Sequence, residues 1–163
     1  MADQRKEVVE LGTSKAWTAI SLALAQRDRH VTTYDPAAQE VRERYLDLAP
    51  QVRDRITFVA EPGEVGPLVG SAPVDFLFID ASHEKLPTIR EYEAWRPALA
   101  DDAVVVFDDY EHPDFPGVAD AVTDLELPGD TTGFLFIHRH RSDALPGNAY
   151  ASRSTLQGDS GSL

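Results

Sequence analysis

Five carboxylates stand at the ends of short apolar runs, and they are the residues of this chain best suited to chemistry. VVELG carries Glu10 ahead of Gly12, VTTYD ends in Asp35, VDFLFID ends in Asp80, and AVVVFDD ends in Asp108 and Asp109. Each has an ordinary explanation when taken alone. Asp35, followed by Pro36, suits a helix cap, Asp80 suits a turn cap acting with Ser82, and Asp108 with Asp109 suits a solvated loop. Brought to one place they would repel one another unless a cation or a hydroxyl-rich ligand offset the charge. Whether they meet depends on the elements that end in them.

Those elements read as strands alternating with helices. Runs of β-branched and aromatic residues predict strands at Glu7–Leu11, His30–Tyr34, Arg55–Val59, Val74–Ile79, Ala103–Phe107, about Leu125–Leu127, and Phe134–His138. Helical spacing predicts one helix with Trp17, Ile20 and Leu24 on its apolar face and a second with Val41, Tyr45 and Leu48. Later helices carry Ile89, Tyr92 and Leu99, then Val118, Val122 and Leu125, and a weaker one is expected over Glu64–Val69. Pro36 and Pro87 suit first-turn positions, where a missing N–H costs nothing. Trp95 reads as core, and Trp17 as packing at a helix start.

Repeated strand–helix–strand units imply an α/β, Rossmann-like, doubly wound fold with a mostly parallel seven-stranded sheet between helices. The last two strands, joined by PGDTTG without a helix, are expected to pair antiparallel. In an open sheet of this kind ligands bind outside the carboxyl ends of the strands, and that edge collects the acids. Residues 1–140 are expected to form one domain, and 141–163, with Gly, Ser, Asn and Pro scattered among few large apolar groups, a flexible tail.

Composition narrows the partners. A net charge of −13, from 28 acids against 15 Lys and Arg, would repel a phosphate backbone, and only the short HRHR at 138–141 runs against it. Nucleic acid is therefore not the expected partner. The apolar runs fall well short of the ~20 residues that span a bilayer, and MADQRKEV carries no apolar signal segment, so the expectation is a soluble, cytoplasmic protein without membrane contact. The chain has no cysteine, which leaves oxygen and imidazole as the ligands for any metal.

Asp35 follows Gly12 by 23 positions, a separation that suits an acid accepting hydrogen bonds from the ribose of an adenosine cofactor. That spacing does not choose between NAD and S-adenosylmethionine. The residues after Gly12 read Thr, Ser, Lys, Ala, Trp, however, so the GxGxxG run that lets glycine backbone approach a pyrophosphate is absent. A cofactor with an amino-acid tail needs less glycine, and the loop favours S-adenosylmethionine.

With these features the chain resembles the class I S-adenosylmethionine-dependent methyltransferases, in particular small-molecule O-methyltransferases of the catechol and caffeoyl-CoA type and the bacterial methyltransferase family of type 24. VVELGTSKAWTAISLA resembles their first motif, which implies a cofactor cradle of Glu10, Gly12, Ser14 and Thr18, with Ala16 in the place of a second glycine. VTTYDP resembles the second motif, with Asp35 as the ribose acid, and FVAEPGEV the adenine segment, with Ala60 and Glu61 in contact. VDFLFIDASHEKLPTIREYEAWRPALADDAVVVFDDY is similar to the fourth-to-fifth-strand stretch. There the resemblance implies that Asp80 contacts cofactor and substrate and that Asp80, Asp108 and Asp109 hold a divalent cation such as Mg²⁺. Such a cation would lower the pKa of a substrate hydroxyl. His83, three residues after Asp80 where catechol-type enzymes carry a lysine, is implied as general base or metal ligand; Lys85 and His112 read as ordinary polar residues.

The expected activity is S-adenosylmethionine-dependent O-methylation of a small hydroxylated metabolite, a sugar or a phenol. Two departures from the pattern stand beside it. Ala16 adds a β-carbon where the cofactor tail would approach, and the first strand begins about seven residues from Met1, so the N-terminal covering helices of catechol-type enzymes are not expected here. The expectation is that a second subunit, the tail or a large substrate closes the site. Non-methylating chemistry on the same fold, or a non-catalytic role as a binding or regulatory partner, remains open at this point.

Overall fold

The computed structural model describes residues 5–142. Seven strands form one sheet: β1 (Glu7–Leu11), β2 (His30–Tyr34), β3 (Ile56–Val59), β4 (Val74–Ile79), β5 (Leu99–Phe107), β6 (Gly129–Thr132) and β7 (Leu135–Arg139), in the spatial order β3-β2-β1-β4-β5-β7-β6. The first five run parallel, and β7 pairs antiparallel with both β5 and β6. Helices α1 (Trp17–Ala25), α2 (Val41–Leu48), α3 (Lys85–Trp95) and α4 (Pro116–Asp124) follow β1, β2, β4 and β5. This is the doubly wound α/β arrangement that the alternation of strand and helix patterns implies. Among the described residues no helix is long and apolar enough to cross a membrane.

The central strands bury side chains on both faces. Val9 and Leu11 of β1 join Leu77, Ile79, Tyr92, Trp95, Val105 and Phe107 in the core under α3 and α4. Val8, one position out of phase, joins Ala19, Ile20, Ala23 and Val31 under α1 and α2. Such two-sided burial explains the consecutive apolar residues Val8 and Val9 of β1 and 76–79 of β4. Arg55 fastens the second layer, because its guanidinium donates to the carbonyls of Ala23, Gln26 and Arg29 at 2.7–3.1 Å and so satisfies the carboxyl end of α1 and the turn behind it.

Several sequence expectations move. The strand expected near Leu125–Leu127 lies at Gly129–Thr132, an exposed edge strand with no apolar signal, while Leu125 and Leu127 pack on the core at the end of α4. The face of α1 is carried by Ala19, Ile20 and Ala23, with Trp17 54% and Leu24 49% exposed, because small side chains let the helix approach the sheet closely. Trp17 lies outside the core, its ring against Tyr45 with centroids 4.1 Å apart. In α2 only Leu46 is buried and Leu48 is 77% exposed. Leu99 belongs to β5 rather than to α3, and the expected helix over Glu64–Val69 is reduced to a 3₁₀ turn at Gly63–Val65. Pro87 does fall in the first turn of α3, but Pro36 lies in a turn ahead of α2. Apart from its first two residues, the tail expected over 141–163 lies outside the described residues.

Candidate active site

Strand register draws the acids into a row. Leu11 lies opposite both Tyr34 and Ile79, Tyr34 opposite Val59, and Ile79 opposite Phe107. The next residue of each strand therefore emerges at the same edge, in the order Ala60, Asp35, Gly12, Asp80, Asp108, with neighbouring strands ~4.8 Å apart. Backbone bonds continue the alignment past the strand ends: Gly12 N–H donates to Tyr34 O, Asp80 N–H to Leu11 O, Asp35 N–H to Val59 O and Asp108 N–H to Ile79 O, at 2.8–3.0 Å. Strand order reverses between β1 and β4, which opens the crevice at Gly12 and Asp80.

Gly12 is fixed by packing. Its φ is +103°, and a β-carbon there would lie 1.9 Å from the carbonyl oxygen of Asp80. The loop beyond it is held from below. Glu10 is 1% exposed and accepts a hydrogen bond from the Thr33 hydroxyl, which lies 2.6 Å from the Thr13 hydroxyl. Burial foremost raises the Glu10 carboxyl to about 7. Glu10 thus sits beneath the loop, while Ser14 and, in part, Thr18 remain open. Ala16 takes φ +67°, the left-handed conformation expected of a glycine, yet it is fully buried and packs in the α1–α2 core. Its methyl is directed into that core and does not stand in the open cradle.

Asp35 arrives with donors already around it. Its Oδ2 accepts the Ser14 N–H at 2.8 Å and pairs with Arg42 at 2.7 Å, and its Oδ1 accepts the Ala37 N–H at 2.7 Å. Arg42 also donates to the carbonyls of Ser14 and Ala37 and lies 5.9 Å from the Phe58 ring centroid. No sequence signal marked Arg42, a surface-type residue on a polar helix. Of about four acceptor positions on a carboxylate, Asp35 has one left for a ribose hydroxyl. Ala60 and Glu61 follow β3, exposed at the same edge.

On the other side of the crevice Asp80, His83 and Asp109 come together. His83 Nε2 lies 3.0 Å from Asp109 Oδ2 and 3.4 Å from Asp80 Oδ1, and one ligand atom from each of the three residues lies within 4.8 Å of the others. Asp108 Oδ1 accepts the Asp109 N–H at 3.0 Å, and among the described residues the group within ligand distance of one another is Asp80, His83 and Asp109. Burial first, and then the Asp108 charge, raises the Asp80 carboxyl to about 6. Two carboxylates and an imidazole are a donor set that divalent cations accept.

His83 is positioned with care. The Thr88 hydroxyl donates to the carbonyls of Ser82 and Glu84, tying the loop to the first turn of α3. A β-carbon on Gly117 would come 2.6 Å from the His83 carbonyl oxygen, so the start of α4 closes directly on this loop. The His83 ring lies 4.2 Å from that of Phe115, and His112 lies between Phe115 and Phe134 with centroids 5.0 and 4.8 Å away. Lys85 is occupied in an ion pair with Asp124 at 2.6 Å.

The sequence model of a family described as a methyltransferase domain, type 24, matches residues 9–110, more than half of the chain. The chain belongs to this methyltransferase family. S-adenosylmethionine is accordingly its methyl donor. No curated protein matches it. Among solved structures it is similar to CalS11, a TDP-rhamnose 3′-O-methyltransferase of calicheamicin biosynthesis, with a TM-score of 0.62 and 20% identity over 84% of this chain and 72% of that one. A proposed O-methyltransferase from Klebsiella pneumoniae gives 0.69 and 20% over 85% and 74%. A precorrin-6y C5,15-methyltransferase from Geobacter metallireducens gives 0.64 and 14% over 86% and 84%. At these identities the similarity establishes the fold.

Proposed function

We propose that this methyltransferase moves the methyl group of S-adenosylmethionine to a hydroxyl oxygen of a small metabolite, a sugar or a phenol. The observation that carries the reading is the division of the strand-end acids by the β1–β4 crevice, with Asp35 on one side and Asp80, His83 and Asp109 on the other. A nucleoside with an amino-acid tail fits the first half: Asp35 offers a ribose acceptor beside the exposed Ser14, and Ala60 and Glu61 flank it on β3. The second half fits a hydroxyl that must lose a proton as its oxygen attacks the methyl carbon and the carbon–sulfur bond breaks. Asp80 and Asp109 hold His83 by Nε2, and the cluster accepts that proton.

A divalent cation fits the same three residues, and when bound would lower the pKa of the substrate hydroxyl. Phe115 and Phe134 supply the apolar wall beside the cluster. CalS11 is named for 3′-O-methylation of a TDP-sugar, which agrees with a hydroxyl acceptor. Calorimetry with S-adenosylhomocysteine tests the cofactor half, and mass spectrometry of products from hydroxylated metabolites tests the other. The expected result is a gain of one methyl group on oxygen. Absence of cofactor binding at millimolar concentration would end the proposal.

A further inference from the structure

The basic run HRHR at 138–141 stands apart from the strand-end acids, and strand pairing shows where it lies. Arg139 is opposite Val104, His138 opposite Val105, and His140 N–H donates to Ala103 O at 2.8 Å. The run thus sits beside the start of β5, at the end of the sheet away from Asp80 and Asp109. Arg96, in the 3₁₀ turn Arg96–Ala98 after α3, meets it there. Together they line a groove of about 500 Å³ whose apolar wall includes Tyr92, Leu127 and Ile137. That volume is in the range of small-molecule sites.

The groove gathers three arginines and two histidines. His138 is buried, and its Nδ1 lies 2.8 Å from the Pro128 carbonyl oxygen, so Nε2 is the nitrogen left for another partner. His140 is pushed below its ordinary pKa by burial first and then by His138 and Arg96, the two histidine ring centroids lying 6.4 Å apart. Asp101 acts against this, but its Oδ1 already accepts from the backbone and hydroxyl of Ser142. Glu126 and Asp130 also line the groove. Among the described residues Arg96, Arg139 and Arg141 take part in no ion pair.

We propose that this groove binds a phosphate-bearing small molecule, at a site separate from the methyl-transfer edge, with Arg96 and His140 on the phosphate oxygens and the Tyr92–Ile137 wall against an apolar body. A guanidinium fork is matched to phosphate geometry, and an anion there relieves the repulsion among the cations. Inorganic phosphate is the probe. Ring-proton NMR signals of the five histidines, assigned with single His→Gln variants, are followed during phosphate titration with chloride holding ionic strength constant. The expected result is a saturable shift of His138 and His140 with Kd on the order of 1 mM, a rise in the apparent pKa of His140, and no shift of His83 or His112. Arg96→Gln and Arg96→Glu, at an exposed position, should both keep the wild-type circular dichroism and weaken the response at least ~10-fold. Equal shifts with chloride alone, movement of His83 in place of His140, or an unchanged response in both Arg96 variants would overturn the proposal.

Discussion

Replacing Glu91 with glutamine should stabilise the protein, and increasingly so as pH rises from about 4.5 to about 7. Glu91 lies on the inner face of α3 with Thr88, Tyr92 and Trp95, is 5% exposed, and its Oε2 has no hydrogen-bond partner among the described residues. Burial first, and then the charge of Glu64, raises its carboxyl from 4.5 to about 7, with Arg90 acting weakly in the other direction. An acid raised in this way favours folding while it is protonated. Its contribution is fully present below the unfolded value of 4.5 and is lost as pH climbs through about 7. At ~1.4 kcal/mol per pH unit the loss comes to ~3 kcal/mol at most. Glutamine keeps the shape and has no charge to bury. The variant and the parent should therefore have similar Tm near pH 4.5, and at pH 8 the variant should melt higher by ~6–12 °C. Glu10 is also raised to about 7, but it is present in both proteins and cancels in the difference. Calorimetry across this range reads the result directly. A Tm difference that stays flat with pH would refute the placement of Glu91 as a buried, unpartnered acid.

Four more expectations follow from the geometry. Gly12→Ala should lose cofactor binding and several degrees of Tm together, because its new methyl collides with the Asp80 carbonyl at a φ of +103°; calorimetric titration and melting check both. Asp35→Asn should weaken S-adenosylhomocysteine binding by ~10–100-fold, the worth of a hydrogen bond to a charged group, with little change in the rate at saturating cofactor. His83→Gln should remove most of the turnover at pH 7 while cofactor affinity stays within about twofold, and comparing parent and variant after chelation tells whether His83 acts as base or as metal ligand. Arg55→Met should lower stability by ~2 kcal/mol in denaturant titration, since it strands the carbonyls of Ala23, Gln26 and Arg29.

The parts of the fold that were legible are those where one strong physical signal acts. The bounds of β1, β2 and β4 follow from short runs rich in β-branched and aromatic residues that stop before a glycine or an acid. Where the signal is a size preference it is weaker: of the large residues on the apolar face of α1, Ile20 is buried beside Ala19 and Ala23, while Leu24 is half exposed and Trp17 packs on Tyr45. β6 has no apolar pattern at all and forms because β7 offers it an edge, a tertiary cause that GDTT does not display. The same holds in the site. The strand-end acids were visible one at a time, but the choice of His83 over Asp108 as the third member depends on a loop held by Thr88 and Gly117, and Arg42 reaches Asp35 only after α2 folds back over Ser14.

That tertiary arrangement also explains why one edge of the sheet can serve two ligands. The strand-end acids are not equivalent once folded. Asp35 has its charge met by Arg42 and by the N–H groups of Ser14 and Ala37, which leaves it a directed acceptor suited to a neutral sugar hydroxyl. Asp80 has His83 set against its burial and the charges of Asp108 and Asp109, and the balance raises its carboxyl to about 6. A partner able to relieve it must bring a proton to give or positive charge to share. A substrate hydroxyl brings the first, and a divalent cation or the sulfonium of the methyl donor brings the second. The charge left unmet on the β4–β5 side of Gly12, together with the nearly satisfied acid on the β2 side, supports the proposal that the nucleoside lies in one half of the crevice and the reacting atoms in the other.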